Sequence, residues 1–153
     1  VVRDARIAQI YEGTNGVQAL DLIGRKVLRD GGVTLRKFID DMGQSEVADT
    51  HQADLQEALD RLVRVTGSVI DRSANDANLA GAVSTDFLEL FGLTIYAWLW
   101  ARMAHVATAD DFGEGKRITA QFFFNRILPA SIGLEQSILS ASDAVMSLTP
   151  EQF

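Results

Sequence analysis

The 153-residue chain contains no cysteine and only two prolines, Pro129 and Pro150. Without cysteine there is no disulfide framework, no thiolate nucleophile and no cysteine-based metal site. That suits a reducing compartment, and a cytoplasmic location is expected. Positive charge is also scarce, with 14 Lys and Arg against 21 Asp and Glu and a formal net charge of -7. No basic cluster offsets this locally, so the chain repels phosphate backbones and anionic lipid, and no nucleic-acid partner is expected. The longest apolar run, Phe87 to Ala101, carries Glu89 and is shorter than the roughly 20 residues of a spanning helix. It reads as a buried helix, and no transmembrane segment is expected. The opening Val1-Val2-Arg3-Asp4 has neither initiator methionine nor the basic and apolar regions of a signal peptide, which suggests part of a longer protein.

What is present is helical periodicity. Hydrophobic residues make up 47% of the chain, enough for one domain with a sizeable core. They recur close to every 3.6 residues, so the expected fold is all-α, an antiparallel bundle of about five helices, three of them long. Asn15 is a candidate N-cap, with Gln18 three residues later and Val17, Leu20, Ile23, Val27 and Leu28 on one face until Gly31-Gly32. Thr34 is a candidate cap for a short helix bearing Leu35, Phe38, Ile39 and Met42. The long helices are expected near residues 51 to 74, 78 to 108 and 115 to 147. In the first of these, Leu55, Leu59, Leu62, Val63, Thr66, Val69 and Ile70 form the apolar stripe, and Asp54, Glu57, Asp60, Arg61 and Arg64 are assigned to the wet side. The second mixes Ala80, Gly81, Ala82, Gly92, Ala97 and Ala101 with aromatic residues, which predicts enclosure on several sides and close helix approach. Asp110 to Gly115 reads as a turn, and Pro129 should kink the last helix.

Most chemistry-bearing groups have bland readings. The "GEGK" of Gly113 to Lys116 fails as a phosphate loop because Arg117 stands where a Ser or Thr must bind the metal. His51 and His105 have no HExxH or cysteine context, so His51 reads as a surface neighbour of a helix cap, His105 as a helix-face residue, and no metal is expected. Phe122, Phe123, Phe124, Trp98 and Trp100 read as core or interface, and Asp40-Asp41 and Asp110-Asp111 as solvated charge at helix ends. Glu12 is different. It lies between Ile10-Tyr11 and a Gly13 turn, just before a helix start. A general base needs such a setting, fixed in place and partly desolvated, although an exposed loop glutamate near a helix N-terminus fits the residues as well.

The stretch Arg3-Asp4-Ala5-Arg6-Ile7-Ala8-Gln9-Ile10-Tyr11-Glu12-Gly13-Thr14-Asn15-Gly16-Val17-Gln18 resembles the signature near the C-terminus of acyl-CoA dehydrogenases, flavoenzymes that introduce the α,β double bond into acyl-CoA thioesters. The resemblance covers about the first thirty residues. Beyond them, "NLAGAVSTDFLELFGLTIYAWLWARMA" and "ITAQFFFNRILPASIGL" are similar to the extra helical domain of the larger members. The resemblance implies a division into residues 1–31, the end of the dehydrogenase helical domain with its base loop, and residues 32–153, the added bundle. It implies Glu12 as the catalytic base and Glu12 and Gly13 at the thioester. It also implies Thr14 and Gln18 at the flavin nucleotide, FAD as cofactor of the parent enzyme, and an acyl-CoA substrate. An electron-accepting flavoprotein partner and a homo-oligomer follow from it too. Arg3 and Arg6 match basic positions of the signature. Nothing in the chain resembles the family's N-terminal helical or middle β-domain, so the isolated residues are expected to be inactive and to bind no FAD. The reading from another class is a helical interaction or oligomerisation module with no chemistry of its own.

Overall fold

A computed structural model describes residues 14–140 and 147–152. Helix α1 (Thr14–Asp21) runs on through a π-helical stretch, Leu22–Val27, and a 3-10 turn, Leu28–Asp30. There follow α2 (Val33–Gly43), α3 (Asp49–Ser73), α4 (Leu79–His105), α5 (Asp111–Phe122), a second π-helical stretch Phe123–Ile127, α6 (Ala130–Leu139) and a 3-10 turn at Pro150–Gln152. No strand occurs among the described residues, and the expected all-α bundle is what forms.

α4 is the axis of the molecule, packed against α1, α3, α5 and α6. Three contacts fix the directions. Ala48, the N-cap of α3, donates its N–H to the carbonyl of Ala101 near the end of α4, so these helices run antiparallel. Ser137 of α6 donates to Asp86 near the start of α4, and Arg72 at the end of α3 donates to the carbonyls of Ile138 and Ser140. α6 is therefore antiparallel to α4 and parallel to α3. Between the rods lie the fully buried Phe87, Leu90, Ala97 and Ala101 of α4, Leu62, Val65 and Val69 of α3, and Ile138 of α6. Burial of each large apolar side chain contributes about 1.5–3 kcal/mol.

Several sequence expectations are corrected. Asn15 lies inside α1, which is described from Thr14, and does not cap it. Of the predicted face, Ile23 and Val27 are buried, in line with Ala19 at i, i+4 and i+8, but Val17 and Leu20 lie off that line and are exposed at 66% and 50%. Thr34 lies in the first turn of α2. The capping carboxylate is Asp30, which accepts from the N–H of Gly32 and of Thr34 at 3.0 Å each and from the Thr34 hydroxyl. These bonds, the Thr34 hydroxyl's first, hold the Asp30 carboxyl below its ordinary range. Gly31 and Gly32 close the first rod as expected, with φ of 64° and 76° in the left-handed region. Leu35, Ile39 and Met42 of α2 are buried as predicted.

Asp110 to Gly115 is not a turn: Asp110 caps α5 by accepting from the Gly113 N–H at 2.7 Å, and helix begins at Asp111. The third rod breaks where Pro129 was expected to kink it. Leu128 N–H bonds to the carbonyl of Phe123, five residues back, and Pro129 stands as the N-cap of α6. Widening the helix before a proline relieves the clash of its ring with the preceding turn. Ile118, Phe122, Ile132 and Leu139, counted as the rod's apolar stripe, are 44–58% exposed. Val145 and Met146 lie outside the described residues.

The 27 residues of α4 are long and apolar enough, by length and composition, to cross a membrane. The apolar run from Phe87 to Ala101 is only part of this helix. Enclosure is incomplete, since Tyr96 is 54% exposed. Ala97 and Ala101 make the close contacts, whereas added side-chain carbons at Gly81 or Gly92 would meet open space.

Candidate functional site

Glu12 and Gly13 lie outside the described residues. Thr14 and Gln18 are one helical turn apart on α1, Thr14 half-buried and Gln18 exposed. Gln18 edges a groove of about 260 Å³ between α1 and α4, whose walls include Leu22, Leu88 and Phe91, with Asp21 and Lys26 at the rim. Asp21 is held by Arg25 at 2.9 Å. A hydroxyl and an amide on one face suit the polar edge of a nucleotide. However, ligand pockets run to about 300–1,000 Å³ and bury most of what they bind. The groove, at about 260 Å³, falls below that range.

A larger cleft, about 360 Å³, lies elsewhere, between the first turns of α3, Ala104 near the end of α4, and α5. Its most buried polar side chain is His51, which the sequence reading took for a surface residue. His51 is 8% exposed and its ring lies flat on Phe124, centroids 4.2 Å apart and 5° from parallel. Burial pushes the imidazole below its ordinary pKa, opposed in part by the Asp54 carboxylate one turn away. The signal was legible: His51, Leu55, Ala58, Leu59 and Leu62 fall on one helical stripe. On the other wall, Arg117 is fully committed. Its Nε and second terminal nitrogen meet Glu114 at 3.0 and 2.9 Å, and its remaining nitrogen donates to the carbonyls of Ala107 and Thr108 at 3.2 and 3.1 Å.

Arg61 is the clearest departure from the sequence reading. It was assigned to the wet side of α3 but is 5% exposed. It donates to Glu135 at 3.0 Å, to Ser131 at 3.2 Å and to Glu57 at 2.7 Å, while Arg64 takes the other oxygen of Glu135 at 2.9 Å. The break at Pro129 sets Ser131 and Glu135 of α6 over α3, and the cluster is a tie between the two rods. Gly113 to Lys116 are helical, and Lys116 lies over the rings of Phe112 and Trp100 at 5.1 and 5.8 Å, a pair of cation–π contacts. His105 is 43% exposed and stands 3.9 Å from Glu46. Among the described residues no three His, Asp or Glu side chains are placed to hold a metal ion.

The described residues thus form an all-α bundle with open grooves at its rims. Residues 33–149 match the family described as acetyl-CoA dehydrogenase C-terminal like, and the chain belongs to that family. It is 32% identical, over 95% of its length, to 3-methylmercaptopropionyl-CoA dehydrogenase of Ruegeria pomeroyi, and covers 27% of that protein. It is 31% identical, over 99% of its length, to the broad-specificity linear acyl-CoA dehydrogenase FadE5 of Mycobacterium tuberculosis, of which it covers 29%. The chain thus spans less than a third of the length of these relatives.

Proposed function

We propose that the chain is the C-terminal portion of an FAD-dependent acyl-CoA dehydrogenase, with residues 1–31 carrying the base loop and residues 32–153 the added bundle. What carries this reading is the agreement of two observations: the Arg3 to Gln18 signature, and identity to two acyl-CoA dehydrogenases over nearly the whole chain. In this reading Glu12 removes the α-proton of an acyl-CoA thioester. That proton is a weak acid, so its abstraction needs a fixed, partly desolvated carboxylate and hydrogen bonds to the thioester carbonyl that strengthen as enolate character develops. The backbone N–H of Glu12 is one such donor, and Gly13, lacking a side chain, lets the backbone approach. Bound FAD supplies the acceptor for the β-hydrogen, which leaves as hydride. Thr14 and Gln18 hold the nucleotide's polar edge from α1. An electron-accepting flavoprotein, a homo-oligomeric assembly and a cytoplasmic setting complete the proposal, and α4 is read as a core helix.

Replacing Glu12 by Gln in the parent enzyme keeps the shape and removes the basicity. Flavin content and folding should stay near wild type while anaerobic bleaching of flavin absorbance by acyl-CoA is largely lost. Bleaching at the wild-type rate would place the base elsewhere.

A further inference from the structure

The cleft at the start of α3 has no part in the reading above, and a histidine that is otherwise packed away forms part of its wall. His51 is 8% exposed, and among the described residues neither ring nitrogen has a hydrogen-bond partner. Among the described residues the buried side-chain atoms sealed off without a partner are Thr66 Oγ1, Ser73 Oγ and Trp98 Nε1, and no atom of His51 is among them, so its nitrogens open onto the cleft that it lines.

The charges on the walls select the sign of a ligand. Arg117 spends its guanidinium on Glu114 and on two carbonyls, so it offers little to an anion and its pairing cancels the Glu114 charge. Asp54 forms no ion pair among the described residues and leaves the cleft with one unbalanced negative charge, in a chain whose net charge is -7. Ala104 and Ile118 give the same space an apolar side. At about 360 Å³ it sits at the small end of ligand pockets.

We propose that this cleft binds a small alkylammonium ion, with its charge against Asp54, one N–H donated to the acceptor nitrogen of His51, and its alkyl part over Ala104 and Ile118. Burial keeps His51 uncharged at neutral pH, so the imidazole accepts a hydrogen bond and does not repel a cation. The amides of Gln121 and Asn125 line the mouth and make no side-chain hydrogen bonds of their own among the described residues, which leaves them free to report on occupancy.

The test is a titration of the isotopically labelled 153-residue chain with n-butylammonium chloride, following the His51 ring nitrogens and the Gln121 and Asn125 side-chain amides by NMR. Sodium butyrate, sodium chloride and zinc chloride serve as comparisons. Saturable shifts at these three residues with a Kd of about 1 mM or tighter, absent with butyrate and chloride, are expected. Asp54→Asn alters an exposed side chain; it should keep the far-UV circular dichroism and weaken binding about tenfold or more, while Asp40→Asn leaves it unchanged. The proposal is overturned if butylammonium gives no saturable shift, if butyrate matches it, if zinc alone saturates the site, or if Asp54→Asn binds as tightly as the parent.

Discussion

Two single residues carry constraints that composition does not show. Gly113 sits under the capping bond from Asp110, and a side-chain carbon there would fall 1.9 Å from the carbonyl oxygen of Thr108, which is backbone and cannot rotate away. Gly113→Ala should therefore destabilise the chain by roughly 1–3 kcal/mol, the usual cost of overpacking, seen as a lower urea midpoint with an unchanged m-value. His51 links stability to pH. Its folded pKa lies below the ordinary histidine value because burial disfavours the imidazolium. The unfolded chain therefore binds the proton more readily. Stability is complete above about pH 6.5 and declines as pH falls below it, until the folded group also titrates. Urea midpoints at pH 7.5 and 5.5 should differ, and His51→Gln should flatten that difference. An equal pH dependence in the variant would assign it to other groups. The carboxyls of Asp30 and Asp110 are held low instead, so their contribution is lost only in acid, below their ordinary range.

At the scale of elements, the third rod shows how a break can be useful. A straight helix through Pro129 would clash at the preceding turn; the π-helical stretch absorbs this and lets α6 restart in a new direction. That direction brings Ser131 and Glu135 to Arg61. The Arg61 side chain is 6% exposed and that of Glu135 15%, so neither charge is well hydrated without the other. Glu135→Gln should cost roughly 3–5 kcal/mol, because a buried guanidinium loses its main counter-charge. Glu57→Gln, at a partner that is 66% exposed, should cost less than about 1 kcal/mol. Thermal melts of the two variants compare the figures, and similar losses would mean that the α3–α6 tie contributes nothing special.

At the scale of the whole molecule, the clefts beside Gln18 and His51 are open grooves among the described residues. The groove beside Gln18 is about 260 Å³ and open along its length, whereas a tightly held flavin nucleotide must be buried on most of its surface. The 153 residues alone should therefore bind neither FAD nor acyl-CoA tightly and show no dehydrogenase activity. Fluorescence and calorimetric titration with FAD measures this directly, and a stoichiometric complex of submicromolar Kd would show that the chain, by itself or as a dimer, carries most of the site.

The sequence by itself determined the helical class and the approximate ends of α2, α3 and α4, because a 3.6-residue apolar period and two prolines leave little else to form. It also marked the Gly31-Gly32 stop and the break at Pro129, since both act through local backbone geometry. The base loop is proposed from resemblance alone, and the family relation of residues 33–149 to acetyl-CoA dehydrogenase C-terminal like proteins likewise rests on linear sequence. What only the tertiary structure decided is which polar side chains are buried. Arg61 and Arg64 look alike in sequence, but α6 covers the first and leaves the second at the edge. His51 became a cleft residue because Phe124, 73 positions later, stacks on its ring. The exposed Val17, Leu20, Ile118 and Phe122 fall off the predicted stripes because burial depends on which side of each rod α4 covers, and no fixed period states that.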